Sequence, residues 1–556
     1  MLNISIPKRF EFIIEPTDIE NKEDSVLDKL TFGYIFIVIL AYLLYLIAPY
    51  LRIISETPLY SFQRYFAAIG IILLIWDLFT ERKCLKSRYV IFLYILCLIC
   101  FFSMLKMGKY GYKDNLFDLV WFSIQFGIFY SYTTTAKHNK IKKLFKYLYL
   151  VVGIIWSISC ILSIIQFANG VGYRMIADIH TDNPELVRQG LWSNRLFGIF
   201  RGIDYSAYIS LLMIIGSIYY VRKSHTLTLK LINIFFIIPC FIYIILSYSR
   251  SAILSLIIST IILSAYFCIS FFRKKTVKYH NFYTIIIIFM SSLIMLSMIQ
   301  GIQKLAEYSL NKRIEENNYQ VFDSQVVDKE NTILILTNKG YNQNNQVFDS
   351  QVVDKENTIL ILTNKGYNQN NQQKIILDRE ELEENIFDSN GRFAIWHDYL
   401  YLMGDYGLLG LSTSNYNNYI YDHHKDLYIT RYFQDLRDKS GKEDLVYESH
   451  NNYLFILAST GYLGFLCFFL FMLNIVIFNI KTLYRIFKRK GPSDFSYIIM
   501  LLIIIVISTG ALFMNNAFLK INIISFIFWL SLGFVINKAT LMNNQITQLS
   551  KNNHSI

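Results

Sequence analysis

Arg250 lies in SYSRSAILSL, between two apolar stretches joined by almost no loop. That spacing puts it at a membrane edge, on the first turn of a helix. Unpaired backbone N–H groups, the hydroxyls of Ser247, Ser249 and Ser251 and a guanidinium fork can together hold an anion there. The fork donates hydrogen bonds in pairs, which suits a phosphate. The same placement also suits an arginine that only reaches to lipid headgroups. His450 stands in YESHNNYLFILASTGYLGF, where a long polar segment gives way to an apolar one. At about 100° per residue, Gly461 falls about 20° from His450 around a helix and Gly464 about 40° to the other side. The imidazole would then top a face of small residues, open to another helix or a lipid chain. A neutral imidazole so placed can accept a proton from a hydroxyl, or be satisfied by a headgroup or by Glu448.

The elements that must position these residues are membrane spans. Of 556 residues, 54% are hydrophobic and only 17% charged, and the mean hydropathy is +0.36, unlike a soluble domain. Apolar runs long enough for the hydrocarbon core occupy 32–51, 65–79, 89–105, 116–132, 148–167, 205–221, 231–247, 251–271, 282–299, 453–478, 497–513 and 521–537. An all-α polytopic protein of about twelve transmembrane helices is expected. Residues 1–31 are polar and do not read as a cleaved signal, so the first span stays as an anchor.

Positive residues set the orientation. Alternate short loops gather Arg82, Lys83, Lys86 and Arg88, then Lys137 to Lys146, Arg222 to Lys230, Arg273 to Lys278 and Lys481 to Lys490, opposed only by Glu81 and Asp494. The other side is sparsely basic, with Arg52, Arg64, Lys106, Lys109, Lys113, Arg250 and Lys520. By the positive-inside rule both termini are cytoplasmic. The formal charge of +12 is therefore topogenic, and no nucleic-acid partner is implied.

The chain divides into a cytoplasmic tail (1–31), nine spans (32–299) with an outside loop at 168–204, and an outside domain (300–452). Three further spans (453–537) and a cytoplasmic tail (538–556) follow. The outside domain contains a tandem duplication, identical at every position: 320–345 repeats as 346–371. Its TILILT core can form a strand, and the two copies can pair as a hairpin; the insert is expected to be peripheral to chemistry. Downstream, 391–403 and 427–436 have helical patterning, so the domain is read as small and mostly helical. Cys84 falls in a cytoplasmic loop and the other six cysteines in spans, so no disulfide framework holds the exterior. Adjacent His423 and His424 point apart and make a poor metal pair, and no D-x-D metal clamp occurs.

Several stretches together resemble the bacterial O-antigen ligase and polymerase-like family, which uses undecaprenyl-diphosphate-linked glycans. Arg250 to Leu254 (RSAIL) is similar to its R-x3-L motif. His450, Asn451 and Gly461 are similar to H-[NSQ]-x9-G, with Gly464 at the small position that follows. Arg195 to Phe200 (RLFGIF) resembles R-x-x-G-x-F, and GRFAIWHDYLYLMGDYGLLG the GR…W segment before the motif histidine. Arg201-Gly-Ile-Asp204 departs from the family's turn after the first arginine, and the duplicated insert is not a family feature.

The resemblance implies a GT-C-like membrane glycosyltransferase with a helical periplasmic loop domain, in the bacterial inner membrane. It implies metal-independent, inverting transfer of a glycan from undecaprenyl diphosphate to lipid A–core or another glycan acceptor, with no cofactor. Arg195, Arg201 and Arg250 would bind the diphosphate, His450 would activate the acceptor hydroxyl, and Asn451 would hold acceptor or phosphate. A polymerase or a protein O-oligosaccharyltransferase uses the same donor chemistry. A transporter is the alternative of another class, but it would usually keep ionisable residues at midplane; Asp77, Asp118 and Asp204 lie near span ends. Deleting residues 346–371 is expected to leave glycan transfer by membranes unchanged; loss of transfer would put the insert in the acceptor site.

Overall fold

A computed structural model describes residues 25–51, 56–169, 190–192, 195–272, 280–317, 333–335, 360–362, 392–431, 434, 449–488 and 494–552. In an apolar medium every backbone polar group must be satisfied within its own segment, and these long apolar runs do so as helices. The first half of the chain forms α1 (Val26–Leu51), α2 (Glu56–Phe79), α3 (Lys83–Lys86), α4 (Val90–Lys106), α5 (Lys113–Ile124), α6 (Ser131–Thr135) and α7 (His138–Ala168). Next come α8 (Ile203–Lys223), α9 (Leu227–Ser247), α10 (Arg250–Phe272) and α11 (His280–Asn317). Three short helices follow, α12 (Arg392–Tyr401), α13 (Met403–Tyr406) and α14 (Tyr416–His423). The chain then runs through α15 (Asn452–Lys488), α16 (Phe495–Gly510) and α17 (Ile523–Asn552).

The protein is all-α and polytopic. Among the described residues, nine helices are long and apolar enough to cross a membrane. The other three expected spans coincide with α4 and α16, which are shorter apolar helices, and with α5 and α6. These last two are joined through a π-helical turn at Gln125–Tyr130. Among the described residues, nine of the twelve expected spans thus meet that length and composition, and the other three fall on helices that are shorter or interrupted. In α17, 78% of the span is buried, against 6% in α11. α17 is therefore the centre of the bundle, and α11 lies at its edge.

The aromatic rings of Trp121, Phe126, Phe129, Phe526 and Trp529 pack α5 and the π turn onto α17. At the basic end, Asp28 sits between Lys83 and Lys140. Asp494 caps α16 through Ser496 N (2.9 Å) and pairs with Lys538 at 2.5 Å. Burial pushes the Asp494 carboxyl up, but the Lys538 charge and these hydrogen bonds outweigh it and hold its pKa at about 2. Ile333–Ile335 and Leu360–Leu362, the cores of the two repeat copies, pair antiparallel with Leu334 opposite Ile361. The connecting insert lies outside the described residues.

α15 is not a continuous rod. Gly461 breaks it with φ 67 and ψ −169, a region that L side chains rarely adopt. The segment after α13 fills the break. Leu411 N donates to Ala458 O (2.8 Å), Tyr462 N to Gly407 O (3.1 Å) and Leu463 N to Leu408 O (3.1 Å). A Cβ on Gly410 would lie 2.5 Å from Gly461 N and from Ser459 C, and one on Gly461 would strike Gly410 and Leu408 backbone. The small-residue face is thus met by backbone at Gly461. At Gly464 it is met by a helix: a Cβ there would lie 3.3 Å from Ile99 of α4. Gly461→Ala should lower stability by roughly 2–3 kcal/mol, read as the unfolding midpoint of the purified protein in detergent. An unchanged midpoint would mean that the seam is not formed.

Candidate active site

The two strands before α8, β1 (Gly190–Trp192) and β2 (Arg195–Gly198), form an antiparallel hairpin against α7. Gly198 (φ 64) is where the hairpin meets α7, and a Cβ there would strike Ser163. The Ser163 hydroxyl instead accepts a hydrogen bond from Ile199 N at 3.1 Å. This close approach explains a glycine three residues after Arg195. Arg195 itself is half-buried. Its Nε donates to Ser247 O (3.1 Å) and its Nη2 to Asp204 Oδ1 (3.4 Å).

α9 ends at Ser247, Tyr248 turns the chain with φ 52, and Arg250 opens α10. Arg250 is exposed. Of the hydroxyls expected to complete an anion site, Ser247 donates to Ile244 O (2.7 Å) and Ser249 to Asp204 Oδ1 (2.7 Å). One carboxylate oxygen therefore binds both Arg195 and the start of α10, where a negative charge is favoured by the helix dipole. Asp204 was legible only as a departure from the family turn. Its effect is to tie Arg195 to the turn that precedes Arg250. Arg201 is held on α1: its backbone N donates to Leu46 O (2.9 Å) and its guanidinium lies 4.3 Å from the Tyr45 ring centroid. Burial there lowers its pKa below the ordinary arginine value.

A short relay joins this cluster to His450. Tyr208 of α8 donates to Ser251 O (3.0 Å) and contacts the Ser255 hydroxyl at 3.0 Å. Its ring packs on Gly510 at the end of α16, where a Cβ would come within 2.5 Å. The next residue, Ala511, accepts from Asn452 N at 2.7 Å. Asn452 opens α15, so the histidine turn is two residues away.

That turn is tightly specified. His450 has φ 48 and is half-buried, a strained setting for a non-glycine residue that its surroundings must impose. Ser449, fully buried, donates through its hydroxyl to Asn451 O (2.7 Å), and its own carbonyl accepts from Trp396 Nε1 (3.0 Å). Asn451 Oδ1 accepts from Tyr453 N (3.0 Å) and Leu454 N (3.1 Å), which makes it the N-cap of α15. His450 therefore precedes the helix rather than riding on one of its faces. Its aim is set by the cap and not by helical periodicity.

α12 covers the histidine end of the relay. Trp396 reaches the histidine turn and stands 6.2 Å from the Phe513 ring. Arg392 lies four residues earlier on the same helical face. In the sequence this segment shows only its likeness to the GR…W stretch; the i, i+4 spacing of Arg392 and Trp396 is the signal that sets both on one helical face. Beneath Arg195 and Arg250 an apolar cleft of about 490 Å³ opens between α8, α9, α10 and α11, lined by residues such as Leu211, Phe241, Ile242, Leu256 and Met295.

Residues 234–469 match the family model described as O-antigen ligase. The match contains Arg250, Arg392, His450 and Gly461; Arg195 lies outside it but is bonded to Ser247 within it. No curated protein and no solved structure matches the chain. Asn451→Ala should cost about 1 kcal/mol of stability by removing the cap, whereas Asn451→Asp should keep it, measured by thermal unfolding in detergent. Equal loss in both variants would assign the amide NH2 a part that capping does not explain.

Proposed function

We propose that this chain, O-antigen ligase-like from α9 into α15, transfers a glycan from undecaprenyl diphosphate to a hydroxyl of lipid A–core. The reaction is placed at the periplasmic face of the bacterial inner membrane. The observation that carries this reading is the relay Ser251–Tyr208–Gly510–Ala511–Asn452, which gathers arginines and a histidine at one end of the bundle. The cleft supports a lipid-linked donor. Phe241 and Ile242 lie five to six residues before Ser247, about 8–9 Å deeper along α9, so a diphosphate at Arg195 and Arg250 has an apolar space below it for its chain.

The chemistry follows from the charges. Arg195 and Arg250, with Arg201 and Arg392 nearby in the same end of the fold, hold the diphosphate by paired hydrogen bonds. As the bond from the anomeric carbon to the phosphate oxygen breaks, the leaving group gains negative charge, and fixed guanidinium groups stabilise that charge most in the transition state. The acceptor oxygen attacks from the opposite face and inverts the carbon, and its proton passes to the His450 imidazole. No step requires a metal. Asn451 acts by holding His450 in place. Asp77 and Asp204 are bonded at helix ends, to Cys84 N and the Ser249 hydroxyl, and Asp118, in the second turn of α5, to the Ser414 hydroxyl. This supports an enzyme over a transporter.

In a strain lacking the chain, long-chain glycan on lipid A–core should vanish while lipid-linked polymer accumulates. Single repeat units on core would instead indicate a polymerase. Arg250→Ala and His450→Ala should each fail to restore transfer while reaching the membrane at normal levels, with losses on the order of 100-fold or more. Arg250→Lys should be a poor substitute, because an ammonium cannot donate in a planar pair. Normal transfer by both alanine variants would sink the site.

A further inference from the structure

A second cluster of side chains lies on the same end of the bundle, apart from the arginines. Tyr419 and His423 of α14 stack face to face, with ring centroids 4.3 Å apart and an angle of 15° between planes. Tyr110, from the 3-10 turn after α4, sets its edge against Tyr419 (6.3 Å, 82°), and its hydroxyl lies 3.4 Å from His423 Nδ1. Lys109 stands 4.5 Å from the Tyr110 ring. His423 is exposed, and Tyr110 and Tyr419 are half-exposed.

The rings are held from below. His424 Nε2 meets Asp405 Oδ2 at 2.6 Å, and the His423 ring nitrogen lies 3.0 Å from Tyr419 O. Ser414 donates to Asp118 (2.6 Å), and Asn415 to Gly111 O (2.8 Å), which pins the segment before α14 to the start of α5. Residues 313 positions apart in sequence thus build one ordered aromatic surface. A belt of interfacial tyrosines requires no such ring-to-ring arrangement.

We infer that this surface binds a pyranose ring of the acceptor glycan. The C–H groups on one face of a sugar ring pack against an aromatic face, while Lys109 and His423 Nε2 meet its hydroxyls. Its position selects the acceptor over the donor. The first turns of α15 touch Ala511 and the Tyr208 relay through Asn452, and they touch α14 through Phe455, whose ring stands 5.7 Å from Tyr416. His450, at the head of α15, thus has the diphosphate arginines on one flank and the aromatic surface on another. This rests on the glycan-transfer reading above.

The test uses the full-length protein in vesicles made from lipids of a strain that lacks it, with lipid-linked glycan as donor and that strain's rough lipopolysaccharide titrated as acceptor. Tyr419→Ala/His423→Ala should raise the half-saturating acceptor concentration about tenfold. The maximal rate and half-saturating donor should stay within about twofold of wild type. Tyr419→Phe should restore acceptor binding, because the ring and not the hydroxyl makes the contact. His423→Ala alone, at an exposed position, gives the same direction if the double variant folds poorly. An unchanged acceptor dependence overturns the inference, and a rise in half-saturating donor instead overturns its assignment to the acceptor. If the wild-type protein transfers nothing, the transfer reading itself fails and the aromatic site falls with it.

Discussion

Everything at the working end of this protein hangs on the break in α15 at Gly461. A broken helix in an apolar surrounding leaves backbone donors and acceptors that cost several kcal/mol each if unpaired. The segment 407–411 supplies the partners, and in doing so it is sewn into the bundle by three backbone hydrogen bonds. Two glycines facing each other permit the approach, since a Cβ on either would collide with the other's backbone. Because that segment joins α13 to α14, the seam fixes α12 and α14 over the start of α15. The histidine turn, Arg392 and the aromatic surface all inherit their places from it.

A second constraint operates on the donor side. Asp204 pairs with Arg195 and accepts from Ser249, and so ties the Arg195 side chain to the start of α10. Arg250 is left exposed. Arg195 is thus held by the protein while Arg250 stays open, the arrangement that the proposed electrostatic stabilisation requires. The apolar cleft below and the charged cluster above suit a molecule with a lipid chain and a phosphate head.

Much of this was legible in the sequence, for a physical reason. Membrane spans advertise themselves through composition, and the chemistry-bearing residues stand out because charge at a membrane edge is costly. Arg250 and His450 were found that way and Arg195 through the family likeness, and the structure brings their elements together through Tyr208 and Gly510. What failed was reasoning by helical periodicity across segments that are not one helix. His450 lies before the cap, Asn451 is that cap, and Gly461 interrupts the rod. Asp204 was missed as a site residue because its meaning is tertiary: it matters through Ser249, a partner distant in sequence. The runs expected at 89–105, 116–132 and 497–513 fall on helices that are short or interrupted, which hydropathy alone does not reveal.

The central claim separates a donor-binding cluster from a histidine that acts on the acceptor. Its most direct measurement is thermal stabilisation of the purified protein by farnesyl diphosphate, a short polyprenyl diphosphate, compared among the wild type, Arg250→Ala and His450→Ala. The account predicts a clear rise in the unfolding midpoint for wild type and His450→Ala, and little or none for Arg250→Ala. Equal stabilisation of Arg250→Ala, or loss confined to His450→Ala, would contradict it.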